Sequence, residues 1–299
     1  MKDKRILIVG TVRNCEDSLK EDVARLREAF GGAEALHWLL IESDSEDRSV
    51  AVLEHLKAEM PGFDFISHGA LRERMAGRTE RLSFCRNSYV QALRERPNYA
   101  EITHVVIADF DGINTHITRS GVESCWSSGI DWDMVAANQA GPYYDVWALR
   151  HPLWSPNDCW KHFVFLESFG LSKRQCYLQA VASRMVTIPP ERDWIEVDSA
   201  FGGLAIYRRE MLEGVEYVGI GEDGIEFCEH VHVHAQMQAR GARLFINPAM
   251  INAGMTQHSN HLSLRFRIAE ALKQPVRSVI GRGRLTVVRR VLRRQGPYV

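Results

Sequence analysis

His104-Val105-Val106-Ile107-Ala108-Asp109-Phe110-Asp111-Gly112 is an apolar strand sequence that runs without a spacer into two acids and a turn residue. Side chains alternate across a strand, so residues i and i+2 share a face. Asp109 and Asp111 therefore direct two carboxylates to one point, while Phe110 turns away into packing. Two close carboxylates repel unless a cation offsets them, and hard divalent ions prefer oxygen ligands. In open α/β sheets, ligands gather at the carboxyl ends of strands. The stretch is read as a place where Asp111, with Asp109, holds Mn²⁺ or Mg²⁺ and, through it, a diphosphate. A solvated Asp-containing turn is the plainer alternative.

Working outward, short apolar runs alternate with helical patterns. Residues 6–10, 38–41 and 63–67 read as strands. Leu19, Val23, Leu26 and Phe30 recur at helical spacing, as do Val52, Leu53, Leu56 and Met60. Residues 71–98 are Arg-rich and helical in their second half. Beyond the acid pair, residues 134–137, 204–207 and 244–246 are further strands, the last stopped by Asn247-Pro248. Residues 225–240 have helical spacing, with Gly241 as the C-cap. The fold class is α/β, one domain with a mixed, mostly parallel central sheet covered on both faces. Residues 151–200, rich in Pro and Trp and without periodicity, read as an elaborated loop over a site.

The chain has 299 residues and a formal charge of -1, from 37 Lys and Arg against 38 Asp and Glu. That total excludes a wholesale polyanion binder, and nucleic acid is not the expected partner. It conceals a division: residues 262–299 carry ten basic residues and one acid, Glu270, leaving -10 on residues 1–261. Residues 1–261 are read as the catalytic domain and 262–299 as a basic C-terminal extension. Apolar residues among its arginines suit a peripheral contact with an anionic membrane. Six scattered cysteines without a CxxC pair read as reduced, buried thiols. The N-terminus lacks a long apolar region, and no run approaches the roughly 18 apolar residues of a spanning helix. The expected location is cytoplasmic, peripheral at the inner face of a membrane.

Other clusters fit the same ligand. Thr11, Arg13 and Asn14 follow the first strand, and Glu42, Ser43 and Asp44 follow the second, where they could meet a base or ribose. Capping of the next helix by Ser45 or Asp47 is the alternative there. Arg78, Arg81 and Arg86 could neutralise phosphates, Arg81 above the others, although a solvated basic face is the simpler reading. Glu229 could orient or deprotonate an acceptor hydroxyl, and His230 could serve the same pocket or support the metal. Asp198, before the glycine turn, is a second acid near the acceptor, while Asp193 and Trp194 could belong to a lid. His230, His232 and His234 would share one face only on a strand; no HExxH spacing supports a metallohydrolase. His258 or His261 could return to the cation.

In this order the motifs resemble a GT-A glycosyltransferase, over about residues 5–258. ILIVGTVRN is similar to the first strand and base-binding loop, ESDSEDRS to the second-strand motif, and ADFDG to the DxD strand. FGGLAIYRREML resembles the acceptor-side glycine segment. CEHVHVHAQMQARGARLFINP resembles the xED stretch, with Glu229 at the acid and His230 in place of the usual Asp. His258 resembles the C-terminal histidine that completes the metal site. The stretch 81–87 and SAFGGLAIYR are most similar to capsule-associated mannosyltransferase-like proteins, which implies GDP-mannose and retention of configuration.

The expected activity is metal-dependent transfer of a hexose, mannose by the narrower resemblance, from a nucleotide diphosphate sugar to a glycan or lipid-linked glycan. The enzymatic alternative is a metal-dependent nucleotidyltransferase or nucleotide-sugar hydrolase. The non-enzymatic one is an RNA- or anionic-glycan-binding protein that uses the extension.

Overall fold

The computed structural model describes residues 1–255. His258, His261, the domain boundary at residue 261 and the basic extension lie outside the described residues. The apolar runs form Arg5–Val12 (β1), Ala35–Glu42 (β2), Phe63–Ser67 (β3) and His104–Ala108 (β4), which pair in parallel in the order β3-β2-β1-β4. Helices Leu19–Phe30 (α1), Ser49–Glu59 (α2) and Arg78–Glu95 (α3) supply the crossovers. The period-two alternation sorts each strand between two cores. Leu7, Val9, Leu39, Ile41, Val105 and Ile107 pack with α3, whereas Ile6, Ile8, Trp38, Leu40, Val106 and Ala108 pack with α1 and α2. Ile107 is fully buried, so Ile107→Ala would cost about 2–5 kcal/mol.

The sheet continues through Met134–Gln139 (β5), Ile195–Glu196 (β6), Leu204–Arg208 (β7) and Leu244–Ala253 (β8), giving the full order β3-β2-β1-β4-β7-β5-β8-β6. β7 is antiparallel to both β4 and β5, β8 is parallel to β5, and β6 is antiparallel to β8. Six strands thus run one way and two the other, a mixed, mostly parallel sheet. β8 does not stop at Asn247-Pro248. Its pairing with β5 shifts register there, and Asn138 Nδ2 donates to the Pro248 carbonyl at 3.0 Å, so the proline sits in an irregularity that needs no ladder N–H.

Three helices depart from the sequence reading: Arg119–Ser127 (α4), Cys159–Ser168 (α5) and Lys173–Ala180 (α6). Each is too short for periodicity to show, and local caps start them. Thr118 accepts from Gly121 N, Asp158 from Trp160 N and Lys161 N, and Ser172 forms a capping box with Gln175. The expected loop at 151–200 therefore contains a helical hairpin around its own small core of Val146, Cys159, Phe163, Cys176, Ala180 and Val181. The histidine-rich stretch is a helix, Glu229–Gln238 (α7), and Gly241 follows it with φ +83°. All six cysteines are buried and unpaired.

Candidate active site

Because β1, β2 and β4 are parallel neighbours, the loops carrying Thr11, Glu42 and Asp109 leave the same edge of the sheet. Gly10 makes the closest approach there: a Cβ would stand 2.2 Å from the Ala108 carbonyl oxygen and 2.5 Å from the Phe110 ring. Phe110 is buried in that notch, as the alternation requires, which leaves Asp109 half-buried and Asp111 exposed on the other side. Two further contacts hold the turn. Asp22 on α1 accepts from Gly112 N at 2.8 Å, and Ser18 Oγ donates to the Phe110 carbonyl at 3.1 Å.

Arg86 ties this edge to α7. Its side chain is only 4% exposed; Nε donates to Glu229 Oε1 at 3.0 Å, and Nη2 lies 3.9 Å from Asp109 Oδ1. Its guanidinium carbon stands 5.4 Å from the Phe201 ring centre and 5.8 Å from that of Tyr217. Burial opposes the Arg86 charge, but Tyr89, Glu229, Tyr217 and Asp109 outweigh it and hold the group protonated. Asn87, next on α3, brackets the Tyr217 backbone with two hydrogen bonds of 2.9 and 2.8 Å.

Asp145, on the loop after β5, completes the acidic group. It accepts from Gly202 N at 2.9 Å, and its charge acts on Asp109. Desolvation pushes the Asp109 carboxyl up to about 7, although a third of its side chain meets solvent; Arg86 lowers it, and Asp111, Asp145 and Glu229 raise it. Gly203, at φ +84°, permits the fit beside this loop: a Cβ would stand 2.8 Å from the Tyr144 hydroxyl.

The other expected residues divide. Thr11 is half-buried and Arg13 exposed, both at the carboxyl edge. Asn14, at φ +50°, is tied to the second loop: its N–H donates to Ser45 Oγ and its Oδ1 accepts from Glu46 N. Glu42 accepts from Ser45 N and from the Ser67 hydroxyl. Asp44 accepts from Arg72 N at 2.8 Å and lies 3.5 Å from Arg81 Nε. These acids hold the loop together. Neither Ser45 nor Asp47 occupies the N-cap of α2, although Asp47 accepts from Ser49 N.

Several of the expected residues have other partners. Arg81, the favoured phosphate ligand, donates to the Met75 and Ala76 carbonyls at 2.7 and 2.8 Å, and Arg78 is exposed at the start of α3. Arg86 is the arginine at the acids. His230 stacks on Phe201 with ring centres 3.9 Å apart, and neither ring nitrogen has a hydrogen-bond partner among the described residues. Burial, with the charge of Arg86, lowers its pKa far below the usual range and favours the neutral ring. His234 bridges Ser199 Oγ and Tyr207 Oη, buried and with its pKa lowered to about 3. Asp198 is exposed and accepts from Gln238, the last residue of α7, about 13 Å along the helix from Glu229. That separation removes it from the acid cluster. Trp194 packs on Phe245 in the core rather than in a lid.

Sequence reading passed over Asp145 and undervalued Arg86, and Arg86 did carry a signal. It stands on the stripe of α3 with Ser83, Tyr89, Val90 and Leu93, all buried, so it had to enter the protein interior. Asp145 is an acid within the aromatic run YYDVW.

No family model matches the chain, and no curated protein matches it. Among solved structures it is similar to the mannosyltransferase PcManGT from Pyrobaculum calidifontis, in complex with GDP-Man and Mn²⁺. That match has 15% identity and a TM-score of 0.50, covering 94% of this chain and 66% of the other. S. aureus TarS 1-349 in complex with UDP-GlcNAc follows at 10% identity and TM-score 0.48, covering 90% and 65%. Glucosyl-3-phosphoglycerate synthase from Mycobacterium tuberculosis, with UDP, matches at 13% identity and TM-score 0.40, covering 84% and 69%. The chain spans just under two thirds of the length of the first two. At 15% identity the likeness to PcManGT is one of fold, and the weaker matches add nothing to it.

Proposed function

We propose that residues 1–261 form a GT-A-type glycosyltransferase domain that transfers a hexose from a nucleotide diphosphate sugar to a glycan or glycolipid hydroxyl, with mannose as the sugar. The observation that carries this reading is the meeting of Asp109, at the carboxyl edge of β4, with Glu229 across Arg86, beside Asp111, whose charge acts on Asp109. The ligands in the PcManGT complex, GDP-Man and Mn²⁺, support the choice of donor and cation.

The residues present fit a shared cation. Asp109 and Glu229 share one guanidinium, and the charges of Asp111 and Asp145 also act on Asp109, so a diphosphate alone would be repelled there. Among the described residues no group of three His, Cys, Asp or Glu could hold a metal ion. Asp111 and Asp109 would share the ion with the diphosphate and water, and His258 is the further ligand proposed. When bound, Mn²⁺ or Mg²⁺ supplies neutralisation of charge on the departing diphosphate. Thr11, Arg13, Asn14, Glu42 and Asp44 line the donor side of the same edge.

Arg86 fixes the Glu229 carboxylate, and Glu229 in turn orients the acceptor hydroxyl in a retaining transfer or takes its proton in an inverting one. Asp145, less enclosed than Glu229, is the second acid beside that hydroxyl. The basic extension places the enzyme at the anionic inner face of a membrane, in reach of a lipid-linked acceptor; its charge of +9 supports this.

The test is a panel of nucleotide sugars, GDP-mannose first, incubated with the full chain and Mn²⁺ or a chelator. Both release of free sugar and transfer to lipid-linked glycans are scored. Metal-dependent transfer is the expected result. Donor hydrolysis without transfer to any acceptor would favour the hydrolase reading, and no turnover of any donor would contradict the enzymatic one.

A further inference from the structure

The hairpin formed by α5 and α6 presents an unusual outer surface. Phe169 is 70% exposed, Phe165 58% and Val164 57%, and Leu178 is also exposed. Four of the nine exposed large apolar side chains among the described residues thus fall within residues 159–180. They are arranged rather than scattered. Lys161 and Phe165 are four apart on one face of α5, with Val164 beside them, and Phe169 follows as the C-cap residue. The Phe165 and Phe169 rings contact each other edge to face at 5.0 Å. On α6, Arg174 and Leu178 are likewise four apart, and Lys173 adjoins Arg174. The inner faces are spent on the hairpin's own core, so the outer phenyl rings are not needed to hold the helices together.

Charge decides what covers this face. Residues 159–180 contain Lys161, Lys173 and Arg174 against Glu167 alone. Lys173 and Arg174 make no ion pair among the described residues, and Lys161 reaches Asp223 only at 3.9 Å. A second copy of the chain, docked by a two-fold axis, would set these cations against their equivalents. An anionic surface would not. Short helices with aromatic side chains outward and cations one turn away match the interfacial zone of a bilayer, where rings enter the acyl boundary and ammonium and guanidinium groups meet phosphate.

We propose that the outer face of the α5–α6 hairpin is a membrane-docking surface for bilayers containing anionic lipid, separate from the basic extension. It places Phe165 and Phe169 below the headgroups, with Lys161, Lys173 and Arg174 at their level. The proposal stands apart from the catalytic reading, since it uses none of the acids at the β4 edge.

The experiment is flotation of the full chain with vesicles of phosphatidylcholine alone or with about 30% phosphatidylglycerol, a composition that gives an anionic surface. Native chain is compared with Phe165→Ser/Phe169→Ser and with Lys173→Glu/Arg174→Glu, each checked for native thermal melting. Binding is measured at low salt and again at about 0.5 M, where screening weakens the purely electrostatic contribution of the extension. The native chain is expected to float with the anionic vesicles and keep measurable binding at high salt. The phenylalanine pair should lose that high-salt binding at least tenfold, and the charge reversal should lower low-salt binding severalfold. Equal binding of native and phenylalanine-pair chains at high salt would overturn the proposal, as would native chain that floats with neither vesicle. A native dimer that the phenylalanine pair converts to monomer, without vesicle binding, would overturn it in favour of self-association.

Discussion

The two halves of the sheet position chemistry in different ways. In β3-β2-β1-β4 every neighbour is parallel, and the candidate groups sit where strands end: Asp109, Glu42 and Thr11 emerge at one edge because the register brings them there. In β7-β5-β8-β6 the outer strands β7 and β6 run against the parallel pair β5 and β8, and Glu229 and Asp145 are placed by side-chain ties instead, one to Arg86 and one to Gly202 N. Arg86 joins the halves, since it rises from a crossover helix of the first and binds an acid from each. The comparison teaches that strand ends can place a carboxylate almost unaided, whereas the opposing acid depends on one buried guanidinium.

Breaking that tie should give the largest effect. Arg86→Met leaves Glu229 and Asp109 without their buried counter-charge and should cost about 3–5 kcal/mol, seen as a fall in thermal midpoint on the order of 10 °C. A loss below about 1 kcal/mol would mean that the halves are held by their apolar contacts alone. Next comes the proton at the β4 edge. With the Asp109 carboxyl pushed up to about 7, protons compete with a cation for the same oxygens. Because half of the carboxyl is already protonated at pH 7, Mn²⁺-dependent binding of a nucleotide sugar should weaken about fiftyfold between pH 7 and pH 5. A flat profile by calorimetry would remove Asp109 from the ion's surroundings.

Asp22 sharpens the first half alone. Burial raises its carboxyl from 3.8 to about 6, so the folded chain binds the proton more tightly than the unfolded one. The sign follows: stability from this group is present below pH 4 and is lost as pH rises through 6. Asp22→Asn keeps an acceptor for Gly112 N and should stabilise the protein by about 1–2 kcal/mol at pH 7, flattening the decline between pH 4 and 6. Thermal melts across that range test it. The smallest effect belongs to the second half: Asp198→Ala, at the far end of α7 from Glu229, should change stability by less than about 0.5 kcal/mol and leave turnover as it is.

The same contrast explains what was legible in the sequence. Continuous apolar runs and helical spacing announced β1, β2, β4 and their crossovers, because strands buried on both faces have no polar positions to confuse the pattern. Asp109 and Asp111 were readable from their place after β4. The hairpin of α5 and α6 was not, since helices of ten and eight residues packed on a separate small core show little periodicity. The surroundings of His230 and Asp198 were hidden for a related reason: residue type marks chemical capacity, but only the structure shows the packing of His230 on Phe201 and the bond from Gln238 to Asp198. Arg86 lies between these cases, marked by its place on a buried stripe yet identified only by its partners.

Asp109 and Asp111 are proposed to hold a nucleotide diphosphate sugar through a divalent cation. Calorimetric titration of GDP-mannose into native chain and Asp111→Ala, with Mn²⁺ and with chelator, tests it most directly. The native chain should bind only with Mn²⁺, and Asp111→Ala should show no measurable binding while melting like the native protein, because Asp111 is exposed. Equal binding by the two chains, or native binding unchanged by chelator, would contradict it.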